Sequence, residues 1–250
     1  MDMEVWIYTL VSVFIVSLIS LIGIFTLSLK RERLKKILLL LVSFSAGGLF
    51  GDAFIHLLPE SFGRLGVNLI TSLYIMLGVL IFFSLEKFVR WRHCHITGSE
   101  EHLHPIVTMN LVGDTVHNLI DGMVIGGSYL VNIPLGITTT IAVILHEIPQ
   151  EIGDFGVLVH GGLDINRAII FNFLSALAAV LGAIISLVIG PKVEGFSLAL
   201  LPITAGGFLY IAGSDLIPEL QHDVKVSTSL WQFVLIILGV AIMSMLVFLG

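Results

Sequence analysis

Asp114-Thr-Val-His117-Asn118-Leu-Ile-Asp121-Gly122 lies within the apolar stretch Ile106–Leu130, and His146-Glu147-Ile-Pro149-Gln150-Glu151-Ile-Gly-Asp154 lies within the next, Leu135–Val159. Each stretch exceeds the roughly 20 mostly apolar residues that a spanning helix needs. An ionisable side chain at bilayer depth costs roughly 2.5–3.5 kcal/mol on insertion scales, so such residues usually face an interior cavity and mark an ion or proton pathway. Nine ionisable or amide groups in these two motifs exceed what packing requires. The pair therefore predicts a polar core that handles a cation inside a membrane.

The surrounding composition agrees. Of 250 residues, 56% are hydrophobic and 12% charged, with mean hydropathy +1.05; a soluble domain carries about 25% charged residues. The net charge is −6, and no basic run suggests a nucleic-acid partner. The single cysteine, Cys94, excludes an internal disulfide framework. The first residues lack the positive segment of a cleaved signal peptide, so the first apolar stretch is expected to be retained.

Working outward, eight stretches qualify as spans: Val5–Leu29, Ile37–Leu58, Val67–Leu85, Ile106–Leu130, Leu135–Val159, Ala168–Ile189, Phe196–Ile217 and Leu230–Leu249. Turns are expected at Pro59 and Gly63, Pro134, Gly161-Gly162, Gly190-Pro191 and Pro218. The reading is an all-α polytopic membrane protein with one transmembrane domain over 1–250 and a loop at 89–105. Ten of the twelve Lys and Arg residues, all but Arg64 and Lys192, fall on one side if the N-terminus is outside. Both termini are thus expected to be extracytoplasmic and the 89–105 loop cytoplasmic.

The first, third, sixth and eighth spans hold no Asp, Glu, Lys or Arg in their apolar cores. The second, fourth, fifth and seventh carry acids, and are expected to form an inner set screened from lipid by the others. The second and seventh also resemble each other. Ala46-Gly-Gly precedes His56 and Pro59-Glu60, while Ala205-Gly-Gly precedes Asp215 and Pro218-Glu219 at the same spacing. These helices cross in opposite directions, which predicts an inverted repeat of helices 1–3 and 6–8 around the helix 4–5 pair. The glycines could equally serve close packing alone.

His117 and Asp121 are four apart and share a helix face, with Asn118 on its flank. Imidazole, carboxylate and amide oxygen suit Zn²⁺ and can also hold Fe²⁺ or Mn²⁺. On the fifth span His146 and Gln150 share one face, beside an acidic stripe of Glu147, Glu151 and Asp154. Pro149 removes a hydrogen bond and crowds the Leu145 carbonyl, which predicts a kink and a carbonyl freed to line a cavity.

His117-Asn-Leu-Ile-Asp-Gly122 resembles the HNxxDG motif of the ZIP (Zrt-, Irt-like) metal transporters. His146-Glu-Ile-Pro-Gln-Glu-Ile-Gly-Asp154 resembles their HExPHExGD motif in the zinc-transporting, LIV-1-like pattern. The resemblance covers the whole chain. It implies uptake of divalent metal, chiefly zinc, with Fe²⁺, Mn²⁺ or Cd²⁺ as other substrates, through a plasma (inner) membrane by alternating access. It further implies a binuclear site in which His117 binds the primary ion, Asn118 and Asp121 lean toward the second, and His146, Glu147 and Glu151 complete the pair. Asn172 matches a polar position near that second ion. Gln150 stands where the pattern has His, and an amide is the weaker zinc ligand. A homodimer fits the family.

Around this core, Asp52, His56, Asp114, Asp154 and Asp215 are candidate pathway residues, with helix-end capping the alternative for Glu60 and Glu219. His93, His95, His102 and His104 make the 89–105 loop a candidate weak metal site. Two other functions are open to the same residues. An intramembrane metalloprotease would use HExxH, but Gln150 replaces its second His and Pro149 interrupts its helix. A metal-sensing receptor would have no use for the repeat. No catalytic residue is expected.

Overall fold

Within a bilayer the backbone has only itself to hydrogen-bond to, so apolar runs of this length must be helical. The computed structural model describes residues 3–26, 31–93, 103–193, 195–221 and 226–249, and among them no strand occurs. The helical runs are α1 (3–26, with a 3-10 turn at Ser20–Ile22), α2 (31–65), α3 (Leu69–His93), α4 (Leu103–Val131), α5 (Ile133–His160), α6 (165–192, interrupted at Leu177), α7 (196–220) and α8 (226–249). Six of these, α1, α2, α3, α6, α7 and α8, are long and apolar enough to cross a membrane. The acid-bearing α4 and α5 have 29 and 28 residues. At 1.5 Å per residue each is about 40 Å long, more than a hydrocarbon core.

Two expected turns are not turns. Helix continues past Pro59 to Leu65 and past Pro218 to Leu220. In an α-helix a proline ring strikes the carbonyl four residues earlier. Here a π-helical segment precedes each proline, Asp52–Leu57 in α2 and Ile211–Leu216 in α7, and its wider turn makes room for the ring. The two segments lie 159 residues apart, the same offset that relates Ala46 to Ala205.

The glycines set the helix pairing. A β-carbon on Gly47 would meet the Ile236 carbonyl oxygen of α8, and one on Gly239 that of Phe44 in α2. On the other side, Gly206 of α7 faces the Ile75 carbonyl of α3, and Gly78 of α3 that of Ile203. Each pair is reciprocal, backbone against backbone. A third reciprocal contact joins α4 to α6, through Gly122 against Ala179 and Gly182 against Leu119. Other close packings join α2 to α7, α1 to α6, α4 to α5 and α7, and α5 to α1 and α2.

Burial grades the helices. The spanning window is 61% buried in α2 and 50% in α7, but only 17% in α3 and α8, so those last two form a lipid-facing shell. α1 and α6, at 39% and 44%, do more than shield. Asn172 and Ser175 on the buried face of α6 bring an amide and a hydroxyl to the acids of the polar core, while Ser12, Ser17 and Ser186 hydrogen-bond across to Tyr129, Ala176 and Met123. The division into inner and outer sets is therefore three-tiered, because Ser and Asn add polarity without the charge that the sequence division was based on.

Candidate metal centre

Local helix chemistry aims the ligand atoms. On α5, Pro149 leaves the Leu145 carbonyl without its helical donor, and the Ser45 hydroxyl of α2 takes it. One residue on, His146 Nδ1 donates to the Ala142 carbonyl at 3.1 Å. With that nitrogen committed, Nε2 keeps its lone pair for a ligand. On α4, His117 and Asp121 project together, one turn apart. Phe82 packs edge-on against His117 and Phe208 against His146, with ring centroids 5.9 Å apart in each case; these aromatic walls limit ring rotation and exclude water.

Four donor atoms converge there. His146 Nε2 lies 3.1 Å from Asp121 Oδ2, 3.4 Å from His117 Nε2 and 3.6 Å from Glu147 Oε1. His117 Nε2 is 3.6 Å from Asp121 Oδ2 and 3.5 Å from Glu147 Oε1. All four atoms fall within 4.8 Å of one another. A tetrahedral zinc with bonds of 2.0–2.1 Å holds its ligands roughly 3.3–3.4 Å apart, so these separations match the edges of its coordination polyhedron. Asp121, His146 and Glu147 are buried and His117 nearly so.

Beside this cluster sits a second polar group. Asn118 donates both amide hydrogens to Asp114, to its carboxylate at 2.8 Å and its carbonyl at 3.2 Å. Ser175 of α6 donates to the other Asp114 oxygen at 2.5 Å. Asn172 likewise donates to Glu151 at 2.6 Å and to the Ser20 carbonyl at 3.1 Å. Their amide oxygens, one oxygen each of Asp121 and Glu151, and both of Glu147 are buried without a hydrogen-bond partner. Leaving one such oxygen unsatisfied costs about 1–3 kcal/mol. No lysine or arginine occurs between Arg92 and Arg167. Four buried carboxylates, Asp114, Asp121, Glu147 and Glu151, thus have no lysine or arginine partner on α4 or α5 and only the two imidazoles beside them, a balance that favours cations.

A cavity of about 320 Å³ opens onto the centre. His117, His146, Asp114, Gln150, Asp154 and Asp215 line it, so Gln150 shares the cavity wall with both histidines of the cluster. Further from the centre the cavity wall carries Glu86 of α3, which accepts a 2.5 Å hydrogen bond from Tyr210 of α7. A second cavity, bordered by His56, Glu60, Asn132 and Thr138, lies toward the other end of α2 and α5. Its lining includes none of His117, Asp121, His146 and Glu147, and Leu49, Ala53, Leu57, Ala142 and Val143 are buried in the core. His56 Nε2 donates to the Met243 carbonyl of α8 at 2.9 Å. Asp52 is fully buried, and Glu60 pairs with Arg64 at 2.6 Å.

His95 and His102 lie outside the described residues, as do the side chains of His93 and His104. Sequence reasoning missed Ser45, Ser175 and the Glu86–Tyr210 pair. Ser175 had a readable signal, sitting one turn from Asn172 on an otherwise apolar helix; Ser45 had none, because its partner is a carbonyl on a distant helix.

The sequence profile of the family described as ZIP Zinc transporter matches residues 3–106 and 93–247. Among relatives, Zinc transporter zipt-7.1 of Caenorhabditis briggsae is 32% identical over 96% of this chain and 79% of its own length. Zinc transporter ZIP13 of Mus musculus is 34% identical over 82% of this chain and 69% of its own. Zinc transporter SLC39A7 of Rattus norvegicus is 27% identical over 96% and 72%. With a profile matched over nearly its whole length and a relative above 30% identity across 96% of it, the chain belongs to the ZIP zinc transporter family.

Proposed function

We propose that the protein carries divalent metal, zinc foremost, across a cell membrane into the cytoplasm. The observation that carries this reading is the set of four donor atoms with zinc-like separations at the head of the 320 Å³ cavity. The names of the relatives support zinc as cargo; Fe²⁺, Mn²⁺ and Cd²⁺ suit the same nitrogen and oxygen donors. The reading extends to a second ion beside the first, held by Asn118, Glu147, Glu151 and Asn172, whose unpartnered oxygens offer it ligands.

The rest of the proposal concerns the membrane. α4 and α5 join the six apolar spans as transmembrane helices, making eight in one transporter domain with extracytoplasmic termini. The cavity on the centre then opens to the cytoplasm and the second cavity outward, so the structure is the inward-open state of an alternating-access cycle. Matched π-segments and reciprocal glycine pairs, α2 with α8 and α7 with α3, support an inverted repeat around α4–α5. The plasma membrane as location and a homodimer as assembly belong to the same reading. Neither protease nor sensor gains support: a second imidazole is missing from the α5 motif, and the matched helices suit movement.

Proteoliposomes loaded with a zinc-sensitive dye test this. Saturable zinc influx is expected, reduced roughly 100-fold by His117→Ala on the scale of a lost metal ligand. Folded, zinc-binding protein with no influx would overturn transport.

A further inference from the structure

Metal sites depend on what turns their ligands as much as on the ligands. Asn118 can coordinate a cation only through Oδ1, since its amide nitrogen is a donor. The side chain is fully buried, so reversing the amide would change which end faces the site. Both Nδ2 hydrogens are already taken by Asp114, at 2.8 Å and 3.2 Å, while Oδ1 has no hydrogen-bond partner. A reversed amide would set Oδ1 against the Asp114 carboxylate, acceptor against acceptor. Asp114 in turn is held from another helix, its second oxygen receiving the Ser175 hydroxyl of α6 at 2.5 Å.

We infer that Asp114 and Ser175 are positioning residues that lock the Asn118 amide with its oxygen toward the second ion. The chain runs from α6 through Ser175 to Asp114 and back one turn along α4 to Asn118. Asn172 is built on the same plan, its two hydrogens committed to Glu151 and the Ser20 carbonyl and its Oδ1 left without a partner. Asp114 therefore contributes by orientation: one of its oxygens accepts from Asn118 and the other from Ser175. The inference rests on the two-ion reading above.

A double-mutant cycle on purified full-length protein tests it, with Zn²⁺ alone as the probe and calorimetry plus elemental analysis as readouts. Asn118→Ala and Asp114→Asn are each expected to weaken the second zinc by about tenfold or more, leaving the first unchanged as a control for folding. Their combination should be no weaker than either alone, because both remove the same ligand. Ser175→Ala, the mildest change, should weaken the second zinc by a smaller factor and do nothing in the Asn118→Ala background. Multiplying effects would make Asp114 an independent ligand or charge and overturn the inference. So would second-ion affinity unchanged by both Asp114→Asn and Ser175→Ala while Asn118→Ala loses it; that outcome leaves the two-ion reading standing. If Asn118→Ala still binds two ions as tightly, the two-ion reading and the inference fall together.

Discussion

The α2–α8 pair and the α7–α3 pair are built alike and do opposite things. Both meet through reciprocal glycine–carbonyl contacts, and both central helices carry a π-segment just before a proline. Yet the cavity by α7 and α3 reaches His117 and His146, whereas the lining of the cavity by α2 and α8 includes neither. His56 and Asp215 hold equivalent sequence positions; His56 contacts the Met243 carbonyl of α8, and Asp215 lines the open cavity. The difference shows that openness belongs to the arrangement of the pairs, and that a pair's own construction does not decide it.

The largest test strikes the pairs themselves. Gly47→Leu and Gly206→Leu both drive side-chain atoms into a facing backbone, so each should cost at least about 3 kcal/mol, beyond ordinary overpacking. Thermal unfolding in detergent should show similar losses for both; a large loss at one and little at the other would break the equivalence. A smaller effect concerns access. In a Cys94→Ser background, Asp215→Cys should react with an impermeant thiol reagent from the cytoplasmic face at least about tenfold faster than from outside, given that the inner cavity is the open one. Reversed or equal rates would refute the assigned orientation. Smallest is the seal. Ser45→Ala removes the hydroxyl that ties α2 to the Leu145 carbonyl, a bond worth about 1 kcal/mol. Zinc uptake should change by roughly twofold to fivefold, with Ser45→Thr close to wild type; no change would show that the α2–α5 tie does not bear on transport.

Much of this architecture was legible because it rests on charge and periodicity. His117 and Asp121 at helical spacing, and His146 beside Glu147, were enough to anticipate the centre, since residues one turn apart share a face wherever the helix goes. The membrane character followed from long runs without charge. What stayed hidden depends on contacts between helices. Pro59 and Pro218 read as stops because a π-turn that accommodates a proline leaves no local sequence mark. Gln150 read as a ligand by its place in the motif, and it lines the same cavity as His117 and His146. Ser45 and Ser175 are ordinary hydroxyls until their partners on α5 and α4 are known. The Ala-Gly-Gly runs were ambiguous between packing and transport; structurally they are packing surfaces.

The reciprocal glycines also have a consequence for heredity. At Gly47, Gly78, Gly122, Gly182, Gly206 and Gly239 a β-carbon would come within 3.0 Å of a backbone carbonyl oxygen. Every missense codon change at glycine adds at least that one atom. These six sites therefore have no conservative allele, and alanine, harmless at most buried glycines, is there a lesion of the same kind as leucine, differing only in degree.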